Sequence, residues 1–89
     1  MLAKFLSELV GTFFFLGVIL ATGEAIPIGI ALAGAIFLTA KVSGGHLNPA
    51  VSTMMYAKGG IDTLTFVSYV IAQILGGLLA LMFFTVTKQ

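Results

Sequence analysis

The chain has no cysteine, no tryptophan and, among its four basic residues, no arginine. Without cysteine there are no disulfides, no thiolate chemistry and few routes to a structural zinc site. Four lysines against three acids leave a formal charge of +1, so no basic stripe is available for nucleic acid. Charged side chains make up only 8% of the 89 residues, against about 25% in soluble domains. One histidine and three acids offer little for an enzyme active site, and nothing in them points to a metal or cofactor. What the chain has in abundance is apolar surface, at 60% of residues. A soluble domain of this size buries only ~60% of its unfolded surface, so the natural solvent for this composition is the bilayer.

Crossing ~30 Å of hydrocarbon takes about 20 helical residues. Three spans therefore use roughly 60 residues, and four barely fit. The first apolar block, residues 2–21, holds Leu9, Val10, Phe13, Phe14 and Phe15 and, after Lys4, is interrupted only by Ser7, Glu8 and Thr12. Lys4 before this run and Ala21, Thr22 and Gly23 after it also fit a secretory signal. An acid inside the apolar region argues against that reading, and removal of the segment would leave the later spans without a partner. A polar connection over 22–25 leads to Pro27, which suits the first turn of a second span at 26–40. Ala25, Gly29 and Ala33, and also Ala31 and Ala35, recur every four residues and predict close helix packing. A third span is expected at 64–86, capped by Asp62 or Thr63. It carries a small-residue ridge of Ala72, Gly76 and Ala80 and one strongly polar side chain, Gln73.

Between the second and third spans, residues 41–57 form a Gly-rich segment, Lys-Val-Ser-Gly-Gly-His-Leu-Asn, and then a short helical stretch, 49–57. Nine residues rise only about 13 Å, close to half the membrane. Irregular backbone at that depth persists only where protein or a water-filled cavity satisfies its polar groups. Asn48-Pro49 is a strong helix start, because Asn caps through its side-chain oxygen and Pro at the first position lacks the N–H that would be orphaned. The Asn48 amide nitrogen is then left to donate to a passing solute, and the helix N-terminus adds about half a positive charge. Such a site favours a neutral polar solute and repels cations, protons included. Backbone carbonyls from Ser43 to His46 are candidate acceptors along the approach. The alternative is a surface loop followed by an interfacial helix.

The string Ser43-Gly44-Gly45-His46-Leu47-Asn48-Pro49-Ala50-Val51 resembles the first signature loop of the aquaporin and aquaglyceroporin family of membrane channels. Glu8-Leu-Val-Gly-Thr12 is similar to that family's first-helix pattern, and Tyr69-Val-Ile-Ala-Gln73-Ile-Leu-Gly-Gly to its third helix. The resemblance spans nearly the whole chain but only half the family fold, which pairs two inverted three-helix repeats around a shared pore. It implies an all-α membrane fold, 1–89 being one repeat of three transmembrane helices plus a re-entrant half-helix. It further implies passive transport of water and small neutral solutes such as glycerol, with Asn48, Pro49, Ala50, Gly44, Gly45 and His46 along the pore. Glu8, Thr12 and Gln73 are expected to support the loop by hydrogen bonds, and His46 to act as a structural donor rather than a gate or metal ligand. Met54 and Met55 are expected to pack, and Phe13 to Phe15 to pack or face lipid. The family's second-helix constriction residue corresponds to Ile28. An aliphatic residue there suggests a wide neck that admits glycerol. The family's second loop continues Asn-Pro-Ala-Arg, whereas Val51 follows here.

Lys4, Lys41 and Lys58 fall on one face and Lys88 on the other, which places the N-terminus in the cytoplasm. The expected partners are the lipid bilayer, a second half-channel that is either another copy or a different chain, and a higher oligomer. Two alternatives stand beside the half-channel: a truncated, nonconducting fragment, and a small dual-topology proton-coupled exporter with Glu8 as carrier acid.

Overall fold

The structure is a computed structural model and describes residues 1–87; Lys88, used above for orientation, lies outside them. Four helices follow in order: α1 (Leu2–Thr22), α2 (Ala25–Ser43), α3 (Pro49–Ala57) and α4 (Thr63–Thr87). Three of them are long and apolar enough to cross a membrane. The 9-residue α3 is not.

Each boundary has a local cause. Gly23 ends α1 in the left-handed conformation (φ 62°) and its N–H bonds the Ile19 carbonyl, a position where glycine avoids the steric penalty of a Cβ. Pro27 sits in the first turn of α2, where no backbone acceptor awaits its missing N–H. The second span runs three residues beyond the expected end at residue 40. Nothing in Lys41-Val42-Ser43 breaks a helix, and the first residue to turn left-handed is Gly44 (φ 90°), whose N–H returns to the Ala40 carbonyl. The irregular segment thus contracts to residues 44–48. Of the two candidate caps for α4, Asp62 acts: its Oδ1 accepts the Thr65 N–H at 2.8 Å.

The three spans meet along α1. Ser7 touches Ser43 and Gly11 faces Thr39, so α2 runs antiparallel to α1. Glu8 meets Gln73, Thr12 meets Gly76 and Phe13 meets Phe83, so α4 runs parallel to it. Apart from Tyr69 and the loop residue Leu47, what lies inside is small or polar: Ala31, Ala35, Ala72, Ala80, Glu8, Thr12, Thr39 and Gln73 are buried, whereas Ile26, Ile30, Phe37, Leu38 and Val86 are exposed. This is the distribution expected where lipid removes the hydrophobic drive and helices associate through close packing and hydrogen bonds. A Cβ added to Gly76 would sit 2.6 Å from the Leu9 carbonyl oxygen, so glycine there is a condition of the α1–α4 approach.

The small-residue ridges separate into two kinds. Ala31 and Ala35 extend through Thr39 and Ser43 into one buried edge of α2 against α1. Ala25, Gly29 and Ala33, expected to pack, face outward. Phe14 is also exposed, and so is Met54, whereas Met55 is half-buried beside Gly60.

Among the helices, α3 packs against α4 alone. The Tyr56 ring stacks on Phe66 at 4.6 Å, and its hydroxyl meets Thr63 Oγ1 at 2.8 Å. Gly59 (φ 85°) and Gly60, whose N–H bonds the Met55 carbonyl, turn the chain back toward α4. The half-helix enters and leaves from the face where α1 and α4 begin. Its N-terminus lies near the level of Gln73, ten residues into α4 and so about 15 Å from that face.

Candidate functional site

The loop between α2 and α3 is held by a carboxylate from a third helix. Glu8 is fully buried and accepts four hydrogen bonds. Its Oε2 receives the Ser43 hydroxyl at 2.7 Å and the His46 N–H at 3.1 Å; its Oε1 receives the Leu47 N–H at 2.8 Å and Gln73 Nε2 at 2.8 Å. Two loop N–H groups that would otherwise be orphaned at membrane depth are thereby satisfied, which is the condition for irregular backbone to exist there. Glu8 is an inward bracket, not a headgroup-level acid.

A second layer fixes the half-helix. Gln73 Nε2 also donates to Ser52 Oγ at 2.9 Å, and Ser52 Oγ lies 2.8 Å from His46 Nδ1. The His46 ring meets Tyr69 edge-on at 4.9 Å, and the Tyr69 hydroxyl donates to the Ser43 carbonyl at 2.6 Å. Of the carbonyls considered for the approach, that of Ser43 is therefore engaged inside the protein.

The backbone between these anchors is left-handed at three of four residues: Gly44 (φ 90°), Gly45 (φ 62°) and, after His46, Leu47 (φ 55°), the only non-glycine with positive φ among the described residues. Gly45 has a second reason to be glycine, because a Cβ would lie 3.2 Å from Ile36 Cγ2 and from Thr39 Oγ1. Asn48 then returns to extended backbone (φ −159°) and caps α3, its Oδ1 accepting the Ala50 N–H at 2.8 Å. The capping bond uses the amide oxygen and turns the amide nitrogen outward, where it is exposed and has no partner among the described residues. Asn48 and Pro49 border a groove of about 470 Å³ shared with Thr12, Phe15, Leu16, Leu47, Gln73, Ile74, Gly77 and Leu78.

Of the three expected supports, one behaves differently. Glu8 and Gln73 form the hydrogen bonds anticipated for them, but the Thr12 hydroxyl is buried without a partner, as is Gln73 Oε1. Thr12 supports the site by packing against Gly76 at the wall of the groove. Ile28 lies half-buried in the first turns of α2 and is not among the residues bordering the Asn48 groove. Among the described residues no group of three or more His, Cys, Asp or Glu is placed to hold a metal ion.

Ser52, Tyr69 and the Ser43 side chain, of which only the carbonyl was considered from the sequence, carry the site yet were not singled out for these roles. A signal existed: Ser43 continues the four-residue repeat Ala31-Ala35-Thr39, Ser52 lies four after Asn48, and Tyr69 four before Gln73. Each is a polar residue on the same helix face as a residue already of interest.

Three helices able to span a membrane, with a re-entrant half-helix packed on α4 and capped by an exposed asparagine, define a membrane protein built on a three-span, half-helix repeat. The chain belongs to the major intrinsic protein family, whose model matches residues 1–89. It is 43% identical over 86 residues to a glycerol uptake facilitator protein-like 6 of Lactiplantibacillus plantarum, covering 86% of this chain and 40% of that protein. It is 32% identical over 95 residues to an aquaporin Z of Photorhabdus laumondii, covering 90% of this chain and 41% of that protein. An aquaporin TIP4-1 of Zea mays is 48% identical over 58 residues, covering 63% of this chain and 23% of that protein. The chain thus spans about two fifths of the first two relatives. No solved structure gives a significant match.

Proposed function

We propose that these residues form one half of a membrane pore for water and small neutral solutes such as glycerol, completed by a second repeat with its own half-helix. The observation that carries this reading is the Asn48 amide: oriented by its capping bond, unpartnered, and set at the end of a helix whose N-terminus reaches about mid-membrane. Asn48, Pro49, Ala50, Gly44, Gly45 and His46 line this half of the pore, and Ile28 contributes to the constriction at the far end. The second half-helix seats in the groove bordered by Asn48, Pro49, Thr12 and Gln73, where the orphaned Thr12 hydroxyl and Gln73 carbonyl oxygen give it polar partners after a small side-chain adjustment. Lys4, Lys41 and Lys58, on the face where α3 enters, support an N-terminus in the cytoplasm. The names of the relatives, a glycerol uptake facilitator and an aquaporin, support both classes of solute.

A proton-coupled exporter needs an acid that can exchange protons with the solvent. Glu8 is saturated by four donors inside the protein, which supports a bracket over a carrier.

The test is osmotic. Vesicles containing the chain, alone and together with a second repeat bearing Asn-Pro-Ala-Arg, receive an impermeant-solute step and then a glycerol step. The expected result is shrinkage faster than in empty vesicles in at least one arrangement, abolished by Asn48→Trp. Permeability equal to empty vesicles in both arrangements would overturn the reading.

A further inference from the structure

We infer that Leu47 is the positioning residue for the Asn48 amide, and that Gly11 of α1 is its socket. This rests on the functional reading of Asn48 given above. On the side away from α4, the half-helix has no helix to lean on, because α3 packs against α4 alone. What ties its N-terminus to α1 and α2 is the preceding loop. Within residues 44–48 Leu47 is the only large apolar side chain, and it is 2% exposed.

The fit is close. A Cβ on Gly11 would stand 2.7 Å from Leu47 Cδ2, 3.6 Å from Cδ1 and 3.2 Å from Thr39 Cγ2. The isobutyl group therefore occupies the notch left by the missing side chain of Gly11, between α1 and Thr39 of α2. Its backbone is locked at the same time: the N–H is bonded to Glu8 Oε1 and φ is 55°, a region costly for a residue with a Cβ unless surroundings over-determine it. Here they do so from both ends, hydrogen bond and knob. Asn48 is the next residue, so the direction in which its amide leaves the loop follows from how deeply Leu47 sits. Pro49 and the capping bond orient the amide relative to α3; Leu47 orients α3's first turn relative to α1 and α2.

Gly11 permits a graded test because the atom that an added methyl would meet first is the far end of a flexible side chain, so the helices need not part. Gly11→Ala is expected to push Leu47 out of the notch, and Leu47→Ala to release it. In the double variant the methyl at position 11 refills part of the vacated space. Leu47→Met, which conserves volume, keeps the knob.

The first readout needs no conduction: the side-chain amide resonances of Asn48 and Gln73 by NMR in lipid. The expected result is a shift of the Asn48 amide in Gly11→Ala and in Leu47→Ala, with the Gln73 amide unmoved as the sign of an intact fold. The double variant should move back toward wild type and Leu47→Met should stay at wild type. The second readout is permeability per folded chain, expected to fall about tenfold in the single variants and to recover partly in the double. An Asn48 amide that stays in place in both single variants, or single effects that simply add in the double, would overturn the assignment. If wild type conducts neither alone nor with the second repeat, the channel reading fails while the NMR comparison still decides the role of Leu47.

Discussion

The seam between α1 and α4 is built in two ways along its length. In the half near the helix starts, Glu8 and Gln73 bond each other and together gather Ser43, His46, Leu47 and Ser52. In the other half, Phe13 meets Phe83 edge-on at 5.9 Å, and Phe14, Gly17, Val18, Ala80 and Phe84 border an apolar groove of about 220 Å³. The first half is joined by directional bonds and encloses a loop. The second is aromatic surface with room left over, and lipid can substitute for much of it. Since lipid is as apolar as the side chains, apolar contact alone gives little preference for one partner. The fixed geometry of the site comes from the polar half.

That contrast ranks the expected effects of substitution. The largest is Glu8→Ala, which leaves two loop N–H groups, the Ser43 hydroxyl and one Gln73 N–H without their acceptor. A loss of about 3–5 kcal/mol is expected, read as a lowered unfolding midpoint in detergent, together with faster exchange of the His46 and Leu47 amides. Stability close to wild type would mean that the network does not hold the loop. Next comes Gly76→Ala, whose methyl would stand 2.6 Å from the Leu9 carbonyl and 3.1 Å from the Phe13 nitrogen, both backbone atoms. Separation of α1 from α4 is expected to cost about 1–3 kcal/mol. Gly17→Ala is its control, because nothing lies within 4 Å of the added atom; its midpoint should match wild type. In the aromatic half, Phe83→Leu removes one edge-to-face contact and should cost about 1 kcal/mol, with the Asn48 amide resonance unchanged. A loop that responds to Phe83→Leu as strongly as to Gly76→Ala would erase the distinction between the two halves.

The smallest effect lies outside the seam. Thr65, through its hydroxyl and then its backbone N–H, holds the Asp62 carboxyl below the usual value of 3.8, with Lys4 assisting. A lowered pKa in the folded chain means that the cap contributes fully above 3.8 and fades as the pH falls through the lowered value. Fraying of the first turn of α4 below that point, seen as faster exchange of the Thr65 and Phe66 amides, should leave the buried network unchanged.

The spans were legible because long apolar runs have one solution in a bilayer, and the half-helix because Asn48-Pro49 marks its start and its nine residues are too few to span. Glu8 and Gln73 stood out as polar residues in apolar surroundings. Thr12 was misjudged for a physical reason: a shared helix face with Glu8 gives proximity, but the loop donors approach one turn earlier, and at Thr12 the neighbour is Gly76. Ser43 was hidden because Lys41 and the glycines made the segment look irregular, whereas the helix continues until the first residue free to turn left-handed. The left-handed conformation of Leu47 has no signature in residue type, since leucine rarely adopts it; it follows from the Glu8 bond and the Gly11 notch, which exist only once three helices have met.

The central claim is that α3 dips to mid-membrane and presents its N-terminus to water. With no cysteine in the chain, single nitroxide labels at Ala50→Cys and Lys58→Cys report depth and water access directly. The eight residue steps from one to the other rise about 12 Å along the helix. The prediction is a label at position 50 that lies about that much deeper than the one at 58 yet remains accessible to a polar relaxation agent. Equal depths at headgroup level, or a label at 50 reached by oxygen alone, would contradict it.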